Sequence, residues 1–163
     1  MARNDPDYFA AQTGVGVLSG GMSSRLFTEV REKRALVYSV GAQASSLRST
    51  GMCYAYAGTT AKRAAETLKV LKDELVRLPS DVTEEEVERA KIGFKSKLLM
   101  DQESTGARAR ELLDDVYFQE RVIPLHEVMD QINAVKAADV KKYWEAHPIE
   151  PYALVTLGKE PLA

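Results

Sequence analysis

The sequence predicts an α+β fold, a two-layer sandwich with a mostly antiparallel sheet and helices packed on one face. Two observations predict it. Two strand-like runs follow one another between residues 37 and 58, joined by a short polar turn. Helical patterning then dominates until a last strand-like run near the C-terminus. Clustered strands and clustered helices mark α+β architecture rather than alternating α/β units. Two strands joined by a tight turn pair antiparallel.

The elements follow in order. Asn4 or Asp5 before Pro6 marks a helix start, because a short polar side chain caps free N–H groups and proline suits the first turn. This helix carries Tyr8, Phe9, Val15 and Leu18 and ends near Gly20 and Gly21. Gly14 and Gly16 weaken its second half, or admit a closely packed neighbour. Ser23 or Ser24 caps a second helix from Arg25 to about Lys33, with Leu26 and Val30 on one face. The first strand runs from about Val37 to Ala44, Leu47 to Gly51 is the turn, and Met52 to Gly58 is the second strand. Met52, Tyr54 and Tyr56 alternate there with Cys53, Ala55 and Ala57, so a bulky face opposes a small one. Small residues let helices approach, so the Cys53 face is expected under the helix layer and the tyrosine face toward a cavity or partner.

Thr59 or Thr60 caps a third helix running to Leu78, where Pro79 is expected to end it. Ala64, Leu68, Leu71, Leu75 and Leu78 form its apolar stripe. Thr83 to Glu86 reads as a capping box opening a fourth helix, with Val87, Ala90, Phe94 and Leu98 inward. A break near Thr105 and Gly106 precedes a helix to about Phe118. Pro124 opens a short helix to Ala134, and Ala138 or Asp139 opens a last one carrying Val140, Tyr143 and Trp144. Tyr152 to Leu157 reads as a final strand.

The chain's 163 residues fit a single domain, 1–163, with no repeat, linker or low-complexity segment. A chain this long buries roughly 70% of its unfolded surface and needs no metal or disulfide to fold. The net charge of −2 has both signs interspersed, which gives no basic face for nucleic acid. No apolar run approaches the ~20 residues of a membrane span. Cys53 is the only cysteine, so no intrachain disulfide is available.

Catalytic chemistry is hard to place on these residues. A catalytic zinc takes about three protein ligands plus water. The chain has two histidines, His126 and His147. His126-Glu127-Val128-Met129-Asp130 resembles the His-Glu-x-x-His zinc helix, with Asp130 where the second histidine belongs. His147-Pro148-Ile149-Glu150-Pro151 begins like the inverted His-x-x-Glu-His motif, but the last histidine is missing and two prolines oppose the helix. Neither is expected to bind metal. Cys53 sits mid-strand among apolar residues, where a thiol is inert packing. Ser23 and Ser24 lack His and Asp partners nearby in sequence. The Gly20-Gly21 loop lacks the Lys-Ser/Thr ending of a phosphate loop.

One segment carries more information than composition does. Gly20-Gly21-Met22-Ser23-Ser24-Arg25-Leu26-Phe27-Thr28-Glu29-Val30-Arg31-Glu32-Lys33-Arg34-Ala35-Leu36-Val37-Tyr38-Ser39-Val40 closely resembles a stretch in the zinc-free C-terminal domain of the pitrilysin/insulinase peptidases. That family includes the mitochondrial processing peptidases and their bacterial relatives. Asp5-Pro6-Asp7-Tyr8 and Thr83-Glu84-Glu85-Glu86-Val87-Glu88-Arg89-Ala90-Lys91 resemble two further stretches of it.

The resemblance implies a clamshell of homologous α+β domains around a chamber. One domain carries the inverted zinc motif, and another supplies an arginine and a tyrosine seven residues apart that reach the bound peptide. Arg31 and Tyr38 match that pair. A guanidinium and a phenol both donate to a peptide carbonyl or a developing oxyanion. On this reading the chain is the non-catalytic, substrate-binding half of a zinc metallopeptidase. It holds no cofactor and has no activity alone, and zinc sits in a partner domain or chain. The alternatives are a structural or assembly subunit of the same fold and a peptide-binding module without hydrolysis. Arg31 could also be a surface ion-pair residue of Glu29 or Glu32, and Tyr38 half-buried filler.

Two departures from the family pattern carry expectations. Ala35 stands where members often have glycine, which strains the turn if that site needs positive φ. Family domains begin with a strand before the Asp-Pro-Asp-Tyr helix, and here only Met-Ala-Arg-Asn precede Asp5. The sheet is therefore expected to lack its first strand and to expose an edge that could recruit a second copy. The compartment is left open, periplasmic if the parent is an exported bacterial peptidase.

Overall fold

The computed structural model describes residues 1–159 and Leu162. Helix α1 (Tyr8–Ser19) begins two residues after Pro6. Asp7 is its N-cap residue by position, and Gly20 closes it by donating its N–H to the Gly16 carbonyl at 2.6 Å. The helix keeps its second half despite two glycines because its neighbours need them. A β-carbon on Gly14 would lie 2.1 Å from Trp144 Nε1, so the indole rests directly on the α1 backbone. Almost every residue of α1 from Ala10 to Leu18 is buried.

The expected second helix starts as α-helix at Arg25 and Leu26 and continues as a π-helix over Phe27–Glu32. Ser24 starts it through its backbone carbonyl, while its hydroxyl donates back to Gly21 O at 2.6 Å. Leu26 and Val30 are fully buried. The segment closes with Ala35 N–H donating to Arg31 O and Leu36 N–H to Val30 O. Ala35 takes φ 50°, the left-handed region that its methyl group disfavours.

Strands β1 (Val37–Ser46) and β2 (Gly51–Thr59) form a two-stranded antiparallel sheet. Gly41 pairs with Tyr56 and Ala44 with Cys53, and the register shifts at Tyr38 between Val37 and Ser39. Val40, Ala42, Ala44, Ala55 and Ala57 contact the core, whereas Met52, Tyr54 and Tyr56 are exposed. The small-residue face thus lies under the helices. Cys53 is an exception: it is exposed, because helix cover runs out toward the hairpin end.

Helix α2 (Ala64–Asp81) follows a short 3-10 turn at Ala61–Arg63. Thr60 enters it in extended conformation without a side-chain cap, and Thr59 instead donates its hydroxyl to Leu36 O at 2.6 Å. Pro79 does not end α2. It lies in the last turn, where a missing N–H removes one bond, and Val82 N–H still reaches Leu78 O at 3.2 Å. The buried stripe is Thr67, Val70, Leu71, Glu74 and Leu78, rotated slightly from the expected one, with Leu75 half-buried.

Helix α3 (Glu84–Gln102) opens with the expected capping box between Thr83 and Glu86. Helices α4 (Thr105–Gln119), α5 (Leu125–Ala134) and α6 (Ala137–Ala146) complete the layer. Helix α1 packs on β1, α3 and α6, which makes it the centre of the core. The chain is 59% helical with helices against an antiparallel sheet, an α+β arrangement. Tyr152–Leu157 is not a strand: it has no ladder partner among the described residues, and Val155 and Leu157 are 90% and 104% exposed. High β-propensity cannot make a strand without a neighbour to pair with.

Candidate functional site

Tyr38 occupies the bulge in β1. Alternation back from Ala42 and Val40, which face the helices, would send its side chain into the core. The extra residue resets that alternation and puts both Tyr38 and Ser39 on the outer face. Gly58 across the ladder shows this directly, since a β-carbon there would lie 2.6 Å from Tyr38 Cζ and 2.7 Å from Ser39 Oγ. The Tyr38 ring lies over that glycine, is 73% exposed, and its hydroxyl takes no hydrogen bond from or to a described residue. Tyr56 lies over Gly41 on the same face, and the Tyr54 hydroxyl donates to Gln43 Oε1 at 2.5 Å. The outer face of the sheet is therefore an open aromatic surface.

Arg31 lies near the end of the π-helix and is exposed, with its guanidinium 5.0 Å above the Phe27 ring. Glu29 is the obvious ion-pair partner, but its carboxylate is taken. Lys33 Nζ reaches it at 2.6 Å and Arg34 Nη1 at 2.8 Å. Hydrogen bonds from Lys33 and then Arg34 hold the Glu29 carboxyl below the ordinary range. No carboxylate among the described residues lies within 4.0 Å of Arg31.

Arg25 anchors this segment from beneath, a role that sequence reading missed. It is 8% exposed and grips Glu86 through Nε (2.7 Å) and Nη2 (2.8 Å) while Nη1 reaches Asp81 at 2.5 Å. Burial alone would lower the guanidinium pKa, but the bonds and charges of Glu86 and Asp81 outweigh it and raise it. Burial would raise the Glu86 carboxyl, and Arg25 with the Thr83 backbone N–H reverses that and lowers it. The same carboxylate closes the α3 capping box at 3.0 Å. The start of the π-helix is thus bolted to the α2–α3 corner. The signal that could have revealed this is a lone arginine beside the apolar Leu26, on a segment whose own acids are all further along.

The other candidates have no convergent chemistry. His126 is exposed, and His147 caps α6, stacking on Tyr143 at 4.2 Å and donating from Nδ1 to its carbonyl at 2.8 Å. Among the described residues no three His, Cys, Asp or Glu side chains come together as a metal site. Cys53 is exposed rather than packed, and its partly desolvated thiol is shifted up, away from an activated thiolate. The Gly20–Ser24 loop shares a small cavity of about 140 Å³ with Glu86 and Arg89, and a carboxylate in the lining disfavours phosphate. No described helix is long and apolar enough to cross a membrane.

Comparison with known proteins bears on the family and the fold. The family model for the peptidase M16 inactive domain matches residues 1–94. An uncharacterized zinc protease of Rickettsia felis is 37% identical over 124 residues, which is 76% of this chain and 30% of that protein. A peptidase M16 inactive domain from Pseudomonas fluorescens superposes with a TM-score of 0.74 at 29% identity, over 90% of this chain and 35% of that one. A conserved protein from Enterococcus faecalis does so with a TM-score of 0.77 at 26% identity, over 89% and 34%. The chain spans about a third of the length of the curated relatives it matches. With more than half of its residues under that family model and its fold shared with an inactive domain of the same kind, the chain belongs to the M16 (pitrilysin/insulinase) peptidases, as their inactive domain.

Proposed function

We propose that this chain is the substrate-binding half of an insulinase-like zinc metallopeptidase. A homologous domain or chain supplies zinc and the activated water, and this half presents Arg31 and Tyr38 to the peptide across the chamber. The observation that carries the reading is the β1 bulge, which turns an aromatic side chain out of the core and leaves its hydroxyl without a partner among the described residues. A domain that used Tyr38 only for packing would gain nothing by exposing it. Arg31, free of the carboxylate beside it, supports the same assignment.

In chemical terms the pair can only bind and orient. Arg31 donates to a peptide carbonyl with a full charge, and Tyr38 donates through a neutral hydroxyl. Either contact accelerates hydrolysis to the extent that it strengthens as the carbonyl oxygen gains negative charge. The open sheet face gives an extended peptide room to lie against the tyrosines.

The test uses the assembled peptidase. Tyr38→Phe keeps the ring and removes one donor, and kcat/KM is expected to fall roughly a hundredfold, about 3 kcal/mol. Arg31→Ala should cost at least as much, because a charge-assisted hydrogen bond is stronger than a neutral one. Both variants should melt like the parent, since exposed side chains seldom contribute more than about half a kcal/mol. Unchanged turnover in both would leave the structural-subunit reading in possession of the fold.

A further inference from the structure

Helix α4 is inside out. Its one fully buried residue is Asp115, whose Oδ2 accepts the Ile123 N–H at 2.9 Å and so holds the α4–α5 loop. Four of its large apolar residues point the other way, while Phe118 is half-buried. Leu112, Leu113, Val116 and Tyr117 follow i, i+3, i+4 spacing, lie on one side of the helix, and are 46%, 68%, 53% and 56% exposed. Leu99 and Met100, just before the turn into α4, are 54% and 64% exposed. A helix in water normally buries such a stripe, and contiguous exposed apolar surface marks an interaction site.

We infer that the outer face of α4 is the seat of the zinc-bearing remainder of the same protease. The length of the relatives chooses this occupant. This chain spans 22% to 35% of the length of the curated zinc proteases it matches, and a protein of that length has a further part able to cover this face. A face that a neighbouring part of the same protein covers stays apolar and is bare only when that neighbour is absent. The inference rests on the proposed role as one half of a zinc peptidase, and it names the side on which the other half docks. It leaves the tyrosine face of the sheet open to peptide, since α4 makes no substantial packing contact with either strand.

Thiol labelling in a Cys53→Ser background tests this, because thiol reactivity follows access. Leu113→Cys is labelled with a neutral maleimide in the isolated chain and in the full-length zinc protease. Labelling is expected to slow by about tenfold or more in the full-length protein, as access is lost. Val76→Cys on α2, 55% exposed in the chain, serves as the control and should react alike in both. Equal labelling of Leu113→Cys in the two proteins would overturn the inference, as would equal slowing at Val76→Cys. So would protection of Leu113→Cys in a dimer of the isolated chain, which would assign the face to a second copy. Zinc content and peptide hydrolysis of the same preparation report the underlying role separately. A protease without activity but with a protected Leu113→Cys would remove the role and keep the interface.

Discussion

Tyr38 takes its exposure from one extra residue in β1, and Arg31 takes its freedom from two cations that occupy Glu29 first. Both follow from local backbone and charge geometry that a residue list does not display. Ala35 is different, because its strain could be foreseen: it stands at a glycine-like position and adopts φ 50°. Ala35→Gly should raise stability by roughly 0.5–1 kcal/mol, as the relief of a left-handed alanine exceeds the added freedom of the unfolded chain. Equilibrium urea unfolding checks this, and a loss of stability would mean that the turn is not strained. Glu86 supplies a pH signature. Its folded pKa lies below the ordinary carboxylate value, so its contribution is complete above the unfolded pKa and is lost as pH falls through the folded one. Glu86→Gln should cost about 1.5–3 kcal/mol at neutral pH, the range for hydrogen bonds to charged groups. The difference from the parent should shrink as unfolding is repeated at successively lower pH, through the depressed folded pKa, where the parent carboxylate takes up its proton too. A constant difference across that range would show that Arg25 does not depend on this charge.

At the scale of elements, the legible parts were those in which local chemistry and tertiary packing agree. The Thr83–Glu86 box opened α3 as read, because a capping box satisfies its own donors wherever it sits. The alternation in β2 assigned its two faces correctly, with Cys53 misplaced because the helix layer ends before it does. Tyr152–Leu157 was misread for a physical reason: a β-prone run needs a partner ladder, and among the described residues it has none. The π-winding of Phe27–Glu32 left no sequence signal, since it follows from how Leu26 and Val30 reach the core and how Val30 O meets Leu36 N–H. Pro79 does not stop α2, because the last turn of a helix tolerates a proline. The α2 stripe gives the element-level prediction. Leu71 is 7% exposed in the core beside Val70, so Leu71→Ala should cost roughly 2–5 kcal/mol in chemical unfolding. A cost under about half a kcal/mol would mean that α2 does not hold the core.

For the whole molecule, a helix layer centred on α1 covers one face of a two-stranded sheet, and the other face carries Tyr38, Tyr54 and Tyr56 into the open. The family was legible because Gly20 to Val40 is a long, specific stretch, while the site was legible only as a pair of residue types. That Tyr38 leaves the core, that Arg31 has no carboxylate partner among the described residues and that Arg25 braces the segment are set by the tertiary fold, which leaves no local signal in the sequence. The proposed function divides the labour: this chain would bind and orient the peptide, and zinc chemistry would belong to a homologous domain or chain. Hydrolysis of a fluorogenic peptide tests it most directly, measured with this chain alone, with the zinc-bearing part alone, and with the two combined. The expected result is no turnover above buffer from this chain, little or none from the zinc-bearing part, and restored turnover on mixing that is lost again with Arg31→Ala in this chain. Zinc-dependent turnover from this chain alone, or full turnover from the zinc-bearing part without it, would rule out a substrate-binding role for this chain.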